Sequence, residues 1–230
     1  MRRISIITNG PGIAEVKSLY GQASDWIQSV LSQYNDLEVN VVRGYEMDHL
    51  DPNDDNAWII TGSAHSVYDK FPWIDYLREK LKEVQKARIP VLGICFGHQL
   101  IADTFGGRVE LNQKGWEIGS CRVKLLESSK YCSLFNSFSD SIDVYQSHQD
   151  VVVQIPDDAT LLAENEMGIQ SFMYDDIFYG VQFHPEFTKE VMEKYLTIRY
   201  EKGILKEIPD VEECKRSSKI LNNFIDNIVK

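Results

Sequence analysis

The chain has 230 residues, 43% hydrophobic and 26% charged, which is ordinary globular usage and sets aside disordered and fibrous proteins. Its formal charge of −11 repels phosphate backbones and anionic lipid, so nucleic acid and membranes are poor partners. The four cysteines contain no C-x-x-C pair and make neither a disulfide framework nor a structural zinc site, so no metal or other cofactor is expected.

The apolar run Ile4 to Ile7, after Arg2 and Arg3, is too short for a signal-peptide core or a membrane span and reads as a first strand. With the cysteine usage, this points to a reducing cytoplasm. Residues Val16, Leu19, Tyr20, Ala23, Trp26, Ile27, Val30, Leu31 and Tyr34 recur at three- and four-residue steps and predict one amphipathic helix. Glu38 to Val42 and Ala57 to Thr61 read as strands. Pro72 opens a helix whose apolar face is Trp73, Ile74, Leu77, Leu81 and Val84. Pro90 to Ile94 is a short buried strand, and Gly97 to Phe105 a helix closed by Gly106 and Gly107.

Alternating strands and helices predict a mostly parallel sheet flanked by helices. From about Arg108 the pattern changes. Cys121 to Leu126, Ile142 to Gln146, Thr160 to Glu164, Gln170 to Tyr174 and Phe178 to Phe183 read as strands with few helices between them, an antiparallel extension in the second half. The tail, about 189–230, returns to helix. No linker or repeat interrupts the chain, so 1–230 reads as one domain.

Gly93-Ile94-Cys95-Phe96-Gly97 places a nucleophilic residue type where a buried strand turns into a helix, with glycine two places either side. Such a turn lifts the side chain to the carboxyl end of the sheet, where open α/β folds bind ligands. The helix N-terminus favours a thiolate there, and the Phe96 N–H could hold an oxyanion. The plainer reading of Cys95 is a small buried hydrophobe. A base decides between them.

Phe183-His184-Pro185-Glu186 supplies one at the end of another strand. Residues two apart on a strand point the same way, so His184 and Glu186 can act together. His184 would take the Cys95 proton and Glu186 would fix the imidazole tautomer and stabilise imidazolium. Taken singly, they read as a strand-end histidine and a solvated carboxylate.

Gly93 to Gln99, Gly-Ile-Cys-Phe-Gly-His-Gln, and Gln182 to Glu186, Gln-Phe-His-Pro-Glu, resemble the two signature segments of class I glutamine amidotransferases over roughly residues 1–190. The resemblance implies a flavodoxin-like sheet and a Cys95-His184-Glu186 triad that forms a γ-glutamyl thioester on Cys95. It also implies that Gln99 helps hold the substrate's amino-acid end. Ser147, Gln149 and Asp150 match the segment contacting the substrate's backbone groups, and His148 reads as substrate-positioning or structural. Gly115 to Gly119 match a stretch near the pocket in relatives.

One segment departs from the family. Where relatives carry a Gly-Gly-Pro-like turn, this chain has Thr61-Gly62-Ser63. Gly62 is then a substrate-side residue and the Ser63 N–H the candidate for the second oxyanion donor, although serine tolerates fewer backbone conformations than glycine. The Gly-Ser form resembles stand-alone members, including γ-glutamyl peptidases. His98 reads as structural, and Cys121 and Cys132 as inert.

The implied function is hydrolysis of a γ-glutamyl amide, either glutamine or a γ-glutamyl peptide. The alternatives are a glutaminase subunit delivering ammonia to a separate synthase subunit, and a non-catalytic binding protein on the same fold.

Overall fold

The computed structural model describes residues 1–230. Strand β1 (Arg2–Thr8) buries Ile4, Ile6 and Ile7 completely. The helix expected over 16–34 is divided into α1 (Ala14–Tyr20) and α2 (Ala23–Leu31). Gly21, at φ 79°, takes a left-handed conformation that ends the first helix, and Gln22 with Asp25 forms a capping box that starts the second. The apolar spacing runs through the break, so periodicity alone does not show it.

β2 (Leu37–Arg43), β3 (Ala57–Ile60), α3 (Pro72–Ala87), β4 (Val91–Ile94) and α4 (Phe96–Thr104) follow. α3 starts on Pro72 and buries Trp73, Ile74, Leu77, Leu81 and Val84, the predicted stripe. The second half contributes β5 (Arg108–Leu111), β6 (Glu117–Leu125), β7 (Ser141–His148), β8 (Asp150–Gln154), β9 (Thr160–Asn165), β10 (Gly168–Tyr174) and β11 (Phe178–Val181).

Nine strands form one sheet in the order β2-β1-β3-β4-β11-β10-β9-β6-β7. β2, β1, β3, β4 and β11 run parallel, and β10, β9, β6 and β7 continue antiparallel. This is the flavodoxin-like sheet with an antiparallel extension. β5 and β8 pair apart from it as a two-stranded ladder, which the sequence reading did not anticipate. Both are short, and β5 buries only Val109, too little alternation to register as a strand.

One core face lies under α2 and the C-terminal helix α6 (Lys219–Asn227), with Ile4, Ile6, Ile27, Leu221 and Phe224. The other lies under α3 and α4, with Ile7, Trp58, Leu77, Phe96 and Phe172. α6 is stitched to the first strand, since Arg2 Nη1 donates to Ile225 O at 2.7 Å. The remaining tail helix, α5 (Lys189–Glu201), starts on Thr188, whose side chain accepts from Val191 N. It is fixed to α1 by Lys194 and Glu15, 2.8 Å apart. No helix is long and apolar enough to cross a membrane.

The position of β11 organises the rest. It is the last strand in the chain but sits between β4 and β10, in register with β4 so that Val181 faces Ile94. The residues following each strand, Cys95 and His184, therefore emerge side by side at the carboxyl end of the sheet.

Candidate active site

Cys95 joins β4 to α4 with φ 51° and ψ −101°, a strained backbone for a residue bearing a side chain. Its N–H donates to Val181 O at 2.8 Å, which ties the turn to β11. The flanking glycines are required by space. A Cβ on Gly93 would come 2.5 Å from the Gly97 carbonyl carbon, and one on Gly97 would come 2.4 Å from Ile60 O. Only bare backbone lets strand, turn and helix close so tightly. Phe96 is the first residue of α4, so the helix leaves its N–H without an internal acceptor.

His184 follows β11 and is held at its backbone by β7, donating to Tyr145 O at 2.9 Å. Its Nδ1 lies 2.8 Å from Glu186 Oε1, with both side chains buried. With Nδ1 engaged by Glu186, Nε2 is the nitrogen left to serve Cys95, which lines the same pocket. Burial works against charge on this ring. The Glu186 carboxylate and the Cys95 sulfur outweigh it and raise the imidazole pKa to about 10. The arrangement therefore favours the protonated form of this imidazole.

The loop after β3 forms the opposite wall. Gly62 has little room for a side chain, because a Cβ there would lie 3.1 Å from His184 Cε1 and 3.6 Å from Cys95 Cβ. Ser63 does not take a positive φ, so the serine-for-glycine departure introduces no backbone conflict. Its Oγ donates to Asn9 O at 2.7 Å, while Asn9 Nδ2 donates to Thr61 O at 2.7 Å. The end of β1 thus fixes this loop in place.

A pocket of about 320 Å³ opens over Cys95, at the small end of the roughly 300–1,000 Å³ usual for ligand sites. Gly62, Ser63, Ser147, His184 and Glu186 line it, and Ser147 Oγ is buried there without a partner. Gln99, His148, Gln149 and Asp150, expected around the substrate, do not line it. Gln99 Nε2 donates to Asp150 O and to Gln182 Oε1, and the Asp150 carboxylate accepts from Ser66 Oγ and Tyr68 OH. His148 lies between Asp150 O at 3.0 Å and Glu117 Oε2 at 2.9 Å, the latter its cross-strand neighbour. Gln149 offers its carbonyl to Asn112 N. These residues brace one another and the 66–68 loop.

His98 is wholly buried against Phe172, and burial pulls its pKa down to about 3, so it stays neutral. Burial pushes the other thiols the opposite way, Cys121 to about 12 and both Cys132 and Cys214 to about 11. They stay protonated and unreactive at neutral pH.

Sequence reasoning missed two supports. Phe187 stacks on the His184 ring with centroids 4.1 Å apart, and Trp26 meets Phe187 edge-on at 5.3 Å. An aromatic face against the imidazole holds its orientation and favours its charged form. The signal was an aromatic directly after His-Pro-Glu. The second is Asn9, whose role needs the β1–β3 neighbourhood to become visible.

A thiol on a strained turn, facing a carboxylate-bound imidazole across a small pocket, is the architecture of a cysteine-dependent hydrolytic enzyme. The glutamine amidotransferase class-I family matches residues 15–200, and the chain belongs to that family. A glutamine amidotransferase-like protein of Schizosaccharomyces pombe is 33% identical over 236 residues, covering 96% of this chain and 93% of that protein. Gamma-glutamyl peptidase 3 of Arabidopsis thaliana is 32% identical over 158 residues, covering 66% of this chain and 63% of that protein. The crystal structure of a glutamine amidotransferase from Thermotoga maritima shares the fold with a TM-score of 0.76 and 24% identity, covering 97% of this chain and 94% of that one. The chemistry is that of the amidotransferases and γ-glutamyl hydrolases, and the chain is an enzyme.

Gly62→Ala tests how tightly the imidazole is held. The added Cβ must displace the His184 ring by a few tenths of an ångström, and misplacement of a reacting group by about 1 Å can cost about 100-fold in rate. The expected result is a fall in kcat of about tenfold, larger than any accompanying rise in KM. Steady-state kinetics beside a circular dichroism spectrum would check it, and an unchanged kcat would mean the ring tolerates the intrusion.

Proposed function

We propose that the enzyme hydrolyses a γ-glutamyl amide through a thioester on Cys95, with His184 as acid and base and Glu186 orienting it. The observation that carries this reading is the His184 Nδ1 to Glu186 Oε1 contact of 2.8 Å beside a thiol on a positive-φ turn. The Cys95 sulfur attacks the γ-carbonyl carbon, and the new C–S bond leaves charge on the carbonyl oxygen. The N–H groups of Phe96 and Ser63 are the proposed donors to that oxyanion. Collapse breaks the C–N bond while His184 Nε2 passes its proton to the departing nitrogen. Water then attacks the thioester, gives a proton back to His184, and releases the glutamate moiety and the thiolate.

Gly62 and Ser147 are proposed to contact the substrate. Gln99, His148, Gln149 and Asp150 act on it through the bracing they give the pocket wall. Acting alone as a hydrolase is the first reading, supported by similarity to gamma-glutamyl peptidases of Arabidopsis thaliana. Delivery of ammonia to a separate synthase is the second, favoured by similarity to GMP synthases. One from Chromobacterium violaceum is 37% identical over 182 residues, covering 32% of that protein.

Hydrolysis by the purified protein, with glutamine and a panel of γ-glutamyl dipeptides, distinguishes the two. Turnover of dipeptides above glutamine is expected. Silence on every substrate, with Cys95 still alkylated by a glutamine-like electrophile, would move the reading to a partner-dependent glutaminase.

A further inference from the structure

Arg199 stands in the last turn of α5 and lines the pocket over Cys95, yet none of the steps above uses it. Its guanidinium lies over the Trp116 ring at 4.1 Å, and its Nε is buried with no hydrogen-bond partner. Trp116 belongs to the Gly115–Gly119 stretch, which matches one near the pocket in relatives. No carboxylate pairs with Arg199, and the ionisable groups that bear on it are Tyr195 and Cys95. Other arginines, among them Arg43, Arg78, Arg88 and Arg122, sit in ion pairs of 2.5–2.9 Å. A chain with 35 acidic residues does not lack partners to offer. Holding a half-buried guanidinium without one costs free energy, so the arrangement suits an anion that arrives from outside.

The pocket agrees in charge. Its lining includes two cations, Lys17 and Arg199, and one acid, Glu186, which His184 already engages. Net positive lining in a protein of charge −11 marks the place where an anion is accepted. Position indicates which part of the substrate carries it. The departing nitrogen must lie within reach of His184, and Arg199 stands one helical turn after Tyr195, which packs on the Phe187 ring that stacks on His184. The planar guanidinium fork matches a carboxylate in two parallel hydrogen bonds.

We propose that Arg199 binds a carboxylate borne by the leaving amine, so that the preferred substrates are γ-glutamyl amino acids or peptides with a free carboxylate. This rests on the γ-glutamyl hydrolase reading and makes Arg199 the residue that sets its substrate class. Glutamine, whose leaving group is ammonia, leaves the guanidinium empty.

The test measures kcat/KM of the full chain for glutamine, γ-glutamylglycine and γ-glutamylglycinamide, the last two differing only in carboxylate against neutral amide. The expected preference for the carboxylate is about thirty-fold, falling below about threefold in Arg199→Gln and recovering in part in Arg199→Lys. A wild-type ratio near one, with turnover intact, overturns the proposal and leaves the hydrolase reading standing. It would make Arg199 a last-turn cation stacked on Trp116 and nothing more. An equal rise in KM for all three substrates in Arg199→Gln also overturns it, by placing the guanidinium on the shared α-carboxylate. No turnover of any substrate overturns both readings. Should Arg199→Gln fail to fold, the wild-type ratio decides alone.

Discussion

Replacing Cys95 with alanine is expected to reduce hydrolysis to background, a loss of at least about 10⁴-fold in kcat, while leaving the fold in place. No neighbouring group can substitute. The other three thiols are held protonated by burial, and their residues do not line the pocket. The backbone at position 95 already accommodates a Cβ at φ 51°, so alanine imposes no new strain. The loss of one buried sulfur costs about 1 kcal/mol by the scale of a methylene, a Tm shift of about 2–4 °C for a chain of this size. Kinetics and a thermal melt on the same preparation check both halves. Activity surviving above background would transfer the chemistry to another residue.

Glu186→Gln is expected to lower kcat by about 100- to 10,000-fold with a smaller effect on KM, and to shift the alkaline side of the pH profile. The sign follows from the electrostatics. Burial disfavours the imidazolium, while the Glu186 carboxylate and the Cys95 sulfur raise the His184 pKa to about 10. In the wild type, the proton needed by the leaving group is therefore present well above the pH near 6.5 at which a free imidazole loses it, and activity falls only as pH approaches about 10. Glutamine keeps the shape of glutamate but removes the carboxylate charge that does most to oppose burial. The alkaline fall must then move to lower pH. A pH profile of kcat for both proteins measures it. An unmoved limb with unchanged kcat would remove Glu186 from the mechanism.

The residues that meet in the pocket were legible for a local reason. Each motif occupies five consecutive positions at a strand end, and the strain, glycine spacing and two-residue periodicity that matter are properties of those positions. That Cys95 and His184 become neighbours is a different kind of fact. It depends on β11 joining the sheet beside β4 after more than eighty residues of intervening chain, and only the paired strand ends hinted at it. The supports were hidden for the same reason. Asn9 matters because β1 adjoins β3, and Arg199 is notable only because no acid faces it. Local pattern also failed where it was continuous across a break. The apolar steps from Val16 to Tyr34 ran over Gly21, whose φ of 79° interrupts the helix. β5 and β8 are too short and too exposed for alternation to register.

The docking of α6 beneath β1 has a consequence for how the molecule is made. Arg2 and Ile225 are separated by 223 positions along the chain and joined by a hydrogen bond. Ile4 and Ile6 share their cluster with Ile220, Leu221 and Phe224. During synthesis α2 follows the first strand closely, but the other half of its cover, α6, comes last, so part of an apolar sheet face stays open until α6 emerges. Contacts of such sequence separation form slowly, and a face left open that long is a natural landing place for chaperones.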